Sequence, residues 1–454
     1  MTANRYGKAF RAVWVLLLLG MLLGAGACIS IAGTNAEAEP GDRTGPPETH
    51  RLVSVSVPGD AAWLFSIKPF ARMKSASLVT LTKEGRFFSL EVKGGRLRAK
   101  PLPALATLSP GVPPATLDEG IIAGGTRDGS FRVIDFFRET VSSAAAGEAL
   151  SPLSRLATLT KLAVATVGRD GSLMIFQKFG GKWKETQRIP AQEANALPDA
   201  LLAAADLDGD GTRELIVPAA PTWRYAHGVL SDAIEPSEIQ IFKIASGRLN
   251  LLSTYRAKGD GVFEAIGALD GDLDGDRRAE ILVTRSDYGS GAGHMALALR
   301  KGRLIQKAKG ATIGLGNRWS HLLGAFDLGA GGKSILAIET PHLAGYLLAL
   351  EMKGGRLAER ARRPGFTTHS IGSRNVWEFA VIRRAGAADT VVQEVSRGRL
   401  AALALRKNRG IIRWTIPLAG PVQSNIVAAD LNGDGLDDLA FAGPGGKVHA
   451  LLSR

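Results

Sequence analysis

The sequence predicts an all-β fold, a β-propeller of eight blades (seven is the alternative count), each a four-stranded antiparallel sheet. Three observations predict it. Short apolar runs recur in groups of four, labelled A to D, at a period of roughly fifty residues. A glycine-bearing basic turn recurs between runs C and D, and an acidic loop recurs between runs A and B. The 55 glycines and the 6% aromatic content suit many short strands joined by tight turns.

The chain opens with a targeting segment. Arg5, Lys8 and Arg11 precede an apolar run from Ala12 to Ala32, the order expected of a secretory signal. Three fates compete for residues 1–38. Signal peptidase could cut after Ala36-Glu37-Ala38. Ala25-Gly26-Ala27-Cys28 is close to a bacterial lipobox that would acylate Cys28, although Ala25 stands where Leu is preferred. The run is also about 20 residues long, enough to span a bilayer uncut. Each places the protein outside the cytoplasm, periplasmic or secreted, with membrane attachment at the N-terminus under the last two. Cys28 is the single cysteine, so the folded part holds no disulfide. Residues 39–50, rich in proline and glycine, read as a linker, and residues 51–454 as the propeller.

Units 1 to 3 carry strands B and C at Leu78–Thr82 and Arg86–Val92, at Ile121–Gly125 and Phe131–Phe136, and at Leu162–Val167 and Leu173–Gln177. Unit 4 is read as Ala200–Leu207, Glu214–Val217, Ile239–Ile244 and Arg248–Tyr255. Units 5, 6 and 7 begin near Phe263, His321 and Val376. The last unit has three strands only, Asn425–Leu431, Asp438–Ala442 and Lys447–Ser453, and Arg51–Val57 is expected to supply the fourth. The C–D turns are Lys93-Gly94-Gly95-Arg96, Lys178-Phe179-Gly180-Gly181-Lys182, Ser246-Gly247-Arg248, Lys301-Gly302-Arg303 and Lys353-Gly354-Gly355-Arg356. Glycine there supplies the positive φ of a tight hairpin.

The acidic loop stands three times. Asp206, Asp208, Asp210 and Glu214 occupy positions 1, 3, 5 and 9 of the first copy, Asp272, Asp274, Asp276 and Glu280 those of the second, and Asp430, Asn432, Asp434 and Asp438 those of the third. Such spacing gathers oxygens around one hard cation, with the backbone carbonyl of Thr212, Arg278 or Leu436 at position 7, and flexible oxygen coordination suits Ca2+. A Glu at position 12 and flanking helices, which an EF-hand needs, are missing. A decayed copy runs from Phe326 to Lys333. The D-x-[DN]-x-D-G-x-x-[DE] loops resemble the FG-GAP or VCBS repeats of integrin-α-like propellers, in the manner of bacterial secreted proteins or lipoproteins. The resemblance implies a propeller whose loops bind calcium; at Asp272 the second loop glycine is replaced by Arg277.

In a meander the A–B and C–D loops share one face, and the B–C and D–A loops share the other. The first face therefore alternates acidic loops with the basic tips Lys93, Arg96, Lys182, Arg248, Lys301, Arg303, Lys353, Arg356, Lys407 and Arg409. These discourage edge aggregation or meet an anionic surface. The second face gathers Trp223, Arg224, Tyr225, His227, Tyr288, Arg318, Trp319, His321, His369 and Trp377, together with His294 and His342. Aromatic rings beside Arg and His suit a sugar ring or a peptide, and loops on a rigid scaffold commonly carry function. Packing between blades is the competing use for such residues.

The formal charge is +13, and +11 without residues 1–38, which points to anionic envelope surfaces; no aromatic-interleaved basic stripe marks nucleic-acid binding. No G-x-S-x-G, H-E-x-x-H or phosphate-loop motif is present, so no catalytic residue is assigned. The expectation is an extracytoplasmic, calcium-binding module that binds or scaffolds a glycan or protein partner at the cell envelope. The alternative is a secreted lyase or hydrolase with its site over units 4–7.

Overall fold

Near-continuous apolar runs bury both faces of strands B and C, and polar residues keep the outermost strand in contact with solvent, the pattern of sheets stacked on either side by neighbours. Residue burial follows it: Ala163–Val167 is buried throughout, whereas Arg248–Arg256 buries Leu249 alone. The computed structural model describes residues 38–453, apart from 46, 48–49, 68–74, 103–106, 232, 330–331, 385–386 and 407. The predicted targeting segment, Cys28 and the Lys407 tip lie outside the described residues.

Among the described residues the fold is almost entirely strand, with one short helix at Ala191–Ala194. Unit 1 pairs Ala61–Ile67, Ser77–Thr82, Phe87–Lys93 and Arg96–Pro101 in sequence order. Units 2 and 3 repeat that order from Ala115–Asp118 to Thr140–Ala144 and from Ala157–Thr160 to Lys182–Ile189. Unit 4 is Ala203–Ala205, Glu214–Thr222, Glu235–Ala245 and Arg248–Arg256. Units 5 and 6 end on Arg303–Thr312 and Arg356–Pro364, joined by a two-residue parallel bridge, Lys309 to Arg356 and Gly310 to Leu357. His50–Ser56 pairs antiparallel with Lys447–Ser453 over its whole length, from His50 opposite Ser453 to Ser56 opposite Lys447.

Each sheet packs face to face on the next through its own apolar cluster. Phe131 stacks on Phe176 at a centroid distance of 4.3 Å between units 2 and 3. Leu64, Leu78 and Leu90 of unit 1 meet Leu431, Ala440 and Ala442 of the last sheet, whose Asn425 also exchanges two hydrogen bonds with the backbone of Leu64.

Three sequence readings are corrected. In unit 4, strands B and C run on to Thr222 and back to Glu235, beyond the Glu214–Val217 and Ile239–Ile244 read from the sequence. Pro218, Pro221 and Pro236 stand within them, since a ladder tolerates a residue without an N–H where none is needed. The inner strands of units 5 and 7 are split, Val262–Phe263 from Leu269–Gly271 and Phe366–Thr367 from Phe379–Arg384. Finally, residues 39–45 do not form a free linker. Asp42 accepts from the Ile412 N–H, Gly45 donates its N–H to the Thr415 hydroxyl, and the Thr415 N–H donates to the Gly45 carbonyl.

Candidate functional site

The three acidic loops fold alike. The position-1 carboxylate accepts two backbone N–H groups in each: Asp206 from Gly209 and Gly211, Asp272 from Gly275 and Arg277, Asp430 from Gly433 and Gly435. Gly211 and Gly435 hold φ at +84°, and Arg277 holds the equivalent place at +67°, a left-handed backbone that only glycine adopts freely. The position-9 acid is buried in each copy and accepts the N–H of position 2. Thr212 and Leu436 donate their N–H groups to Asp210 and Asp434.

What fills the loops differs. In the first, the Lys243 ammonium lies 2.5 Å from Asp208, 2.7 Å from Asp210 and 3.1 Å from Glu214. In the second, Lys307 is 2.6 Å from Asp274 and 2.7 Å from Glu280, and Arg300 is 2.9 Å from Asp276. Against partial burial, which favours the neutral amine, the hydrogen bonds to the carboxylates hold both lysines above the ordinary ammonium range. In the third loop, Ser453 Oγ donates to Asp434 and Asp438 at 2.7 and 2.8 Å, and no ammonium or guanidinium is paired with it among the described residues. Burial, with the neighbouring Asp434 charge, pushes the Asp438 carboxyl up. The oxygens that would hold the calcium implied by the repeat resemblance in the third loop belong to Asp430, Asn432, Asp434, Asp438 and the Leu436 carbonyl. At the other two loops an ammonium already lies among the same oxygens.

The opposite face is layered. Trp223 and Tyr288 stand in solvent, 67% and 53% exposed, and Arg224 is exposed and donates to the Gly261 carbonyl. Leu315, Leu343 and Ile371 are also exposed, Ile371 by 70%. Leu343 and Ile371 line an open cleft of about 170 Å³ together with His227, Asn317, Arg318, Trp319 and His342, and the Tyr288 ring packs on Tyr225. His227 Nδ1 pairs with the buried carboxylate of Glu264, whose other oxygen accepts from Ser286. Tyr225, Trp319, His321 and His369, which the sequence reading put on an open face, lie beneath it. Tyr225 accepts the Asn317 N–H, Trp319 donates to the Glu264 carbonyl, and His321 stacks on Trp319. His369 Nε2 is 3.0 Å from His342 Nε2. Their rings are large and apolar enough to be more stable under the loops than on them. Trp377 leaves the face altogether, packing on Trp63 and lining a cavity of about 290 Å³ among the inner strands of units 2–7.

No protein-family model matches this chain, and no curated protein matches it either. Among solved structures it is similar to one titled "Structure of Dos1 propeller", with a TM-score of 0.56 and 10% sequence identity, over 88% of this chain and 94% of that one. The fold is a β-propeller. At that identity the likeness speaks for architecture only.

Sequence reasoning missed Glu264, the exposed aliphatic side chains and the two lysines. Glu264 gave no signal because it stands within the interruption of an inner strand. The lysines sat on strands whose outward positions are ordinarily charged.

Proposed function

We propose that this chain is an extracytoplasmic propeller of the FG-GAP or VCBS type. Its eight blades would be closed by His50–Ser56, and it would bind a protein partner through the cleft face of units 4–7. The observation that carries this is the exposed pair Leu343 and Ile371 in the wall of the His227–Arg318 cleft. Contiguous exposed apolar side chains rimmed by polar groups mark interaction sites. These aliphatic side chains favour a protein over a glycan, since sugars are gripped by aromatic faces and planar polar groups. Residues 1–38 act as the export or anchoring segment, calcium at the Asp430 loop is structural, and the basic C–D tips keep sheet edges soluble.

A photo-crosslinking side chain at Ile371 or Leu343, in cells, should give one discrete adduct, and the same group at the exposed Phe179 should not. Leu343→Asp should then weaken binding of that partner about tenfold or more, the range of an interface anchor. No adduct, together with glycan-array binding that Trp223→Ala removes, would move the reading to a glycan. The lyase or hydrolase reading has one observation in its favour: Glu264 orients His227 as a carboxylate orients a general base. An activity lost in His227→Gln but intact in Leu343→Asp would support it.

A further inference from the structure

Two of the three acidic loops contain a lysine ammonium where the repeat pattern would have a metal, and the lysines arrive from different strands. Lys243 belongs to strand C of unit 4, Glu235–Ala245, and Lys307 to strand D of unit 5, Arg303–Thr312. Neither is a repeat of the other, so the convergence is not an accident of duplicated sequence. Each reaches oxygens of the position-3 and position-9 acids: Asp208 and Glu214 for Lys243, Asp274 and Glu280 for Lys307. The position-5 acids are met as well, Asp210 by Lys243 and Asp276 by Arg300. The charge count follows the same division. The two loops with four carboxylates have an ammonium, and the loop in which Asn432 replaces the position-3 acid has Ser453 in contact with its carboxylates instead.

We propose that Lys243 and Lys307 are the resident cations of the Asp206 and Asp272 loops, which close on a tethered ammonium, leaving the Asp430 loop to take a divalent ion. An ammonium is a compact charge with three donors, which matches three converging carboxylate oxygens. Being tethered, it needs no ion from solution, and its ordering is already part of folding. A divalent ion entering either loop would have to evict the lysine and then remain close to its charge in a partly water-excluded site, where like-charge repulsion is poorly screened. The loops still clip strands A and B together, and they do so at any calcium concentration.

The test uses the full chain, stripped with EGTA and titrated with CaCl2, with bound calcium counted by equilibrium dialysis and melting followed in parallel. The wild type should bind one equivalent, lost in Asp434→Asn; a wild type that binds none would overturn the assignment of the ion to the Asp430 loop. Lys243→Met should melt lower in EGTA, gain one equivalent of calcium and recover its melting temperature with it. The Lys243→Met, Lys307→Met double variant should gain two. Three equivalents in the wild type, or Met variants that bind no more calcium than the wild type, would overturn the proposal. Should the Met variants fail to fold, Asp434→Asn with its lysines intact decides: calcium binding that persists there overturns the proposal, and its loss supports it.

Discussion

Unfolding free energy should fall steeply once the pH drops below about 6.5. His294, His321 and His369 are buried as neutral rings, and His342 is half-buried beside them. Burial pushes His294 and His342 down to about 4 and His321 to about 3; His369 falls to about 2, where its neighbours His321 and His342 add to the effect of burial. The folded pKa values lie below the unfolded one, so only the unfolded chain takes up these protons as the pH falls from 6.5. Their stabilising contribution is complete above pH 6.5 and is lost as the pH falls toward the folded values. Glu378 runs the other way. Burial raises it to about 8, so the folded state holds its proton while the unfolded state gives it up above about 4.5. Four protons against one leave a limiting slope of about 4 kcal/mol per pH unit between 6.5 and 4.5. Relaxation around the half-exposed His342 reduces that, and at least half is expected. Urea titrations at intervals across this range would measure it, and a flat profile would contradict the buried neutral cluster. His294→Gln should reduce the slope by about 1.4 kcal/mol per pH unit.

The same histidines show how far a sequence can be read. Strand alternation and the C–D glycines, both local signals, led to the expectation that these histidines share one face; His342 and His369 do meet, while His294 and His321 stand on strands. Whether a ring lies on that face or under it depends on what packs above, and that comes from other blades: Trp319 reaches the Glu264 carbonyl across 55 residues of chain. The backbone of the acidic loops follows from local signals, because the bonds from the position-1 and position-9 acids to loop N–H groups span three to seven residues. Their cation does not. Lys243 stands 33 residues beyond Asp210, on a strand where a lysine is the ordinary solvent-facing residue. Opposite charges meeting across a blade edge leave no periodicity to find. The strap at residues 39–45 is the extreme case, since proline and glycine content described its flexibility as a peptide and nothing described its docking place.

That strap gives the second large effect: Asp42→Ala should destabilise the protein by about 3–5 kcal/mol. The Arg363 side chain is completely buried, with one guanidinium nitrogen 2.7 Å from Asp42 and another 2.7 Å from Glu39. The Asp42 carboxylate is itself buried, and its second oxygen accepts the Ile412 N–H at 2.8 Å. Gly410 allows the approach, since a Cβ there would lie 2.8 Å from that of Arg363. Removing Asp42 takes a buried carboxylate from a guanidinium that is out of water, and orphans a backbone donor on the outer strand of unit 7. Glu39→Ala should cost far less, about 1 kcal/mol or below, because solvent already screens that pair. The decisive comparison is Asp42→Ala with Arg363→Met in one chain. Replacing a buried ion pair by apolar volume is often neutral, so the double variant should recover most of the loss, and urea unfolding of all four chains would give the coupling. Additive losses would mean that Asp42 acts only through the Ile412 N–H. A large coupling would mean that residues 39–45 are pinned by charge to units 6 and 7, a few residues before His50–Ser56 enters the last sheet. The ordering of the strap would then lower the entropy of delivering that strand to its place beside Lys447–Ser453.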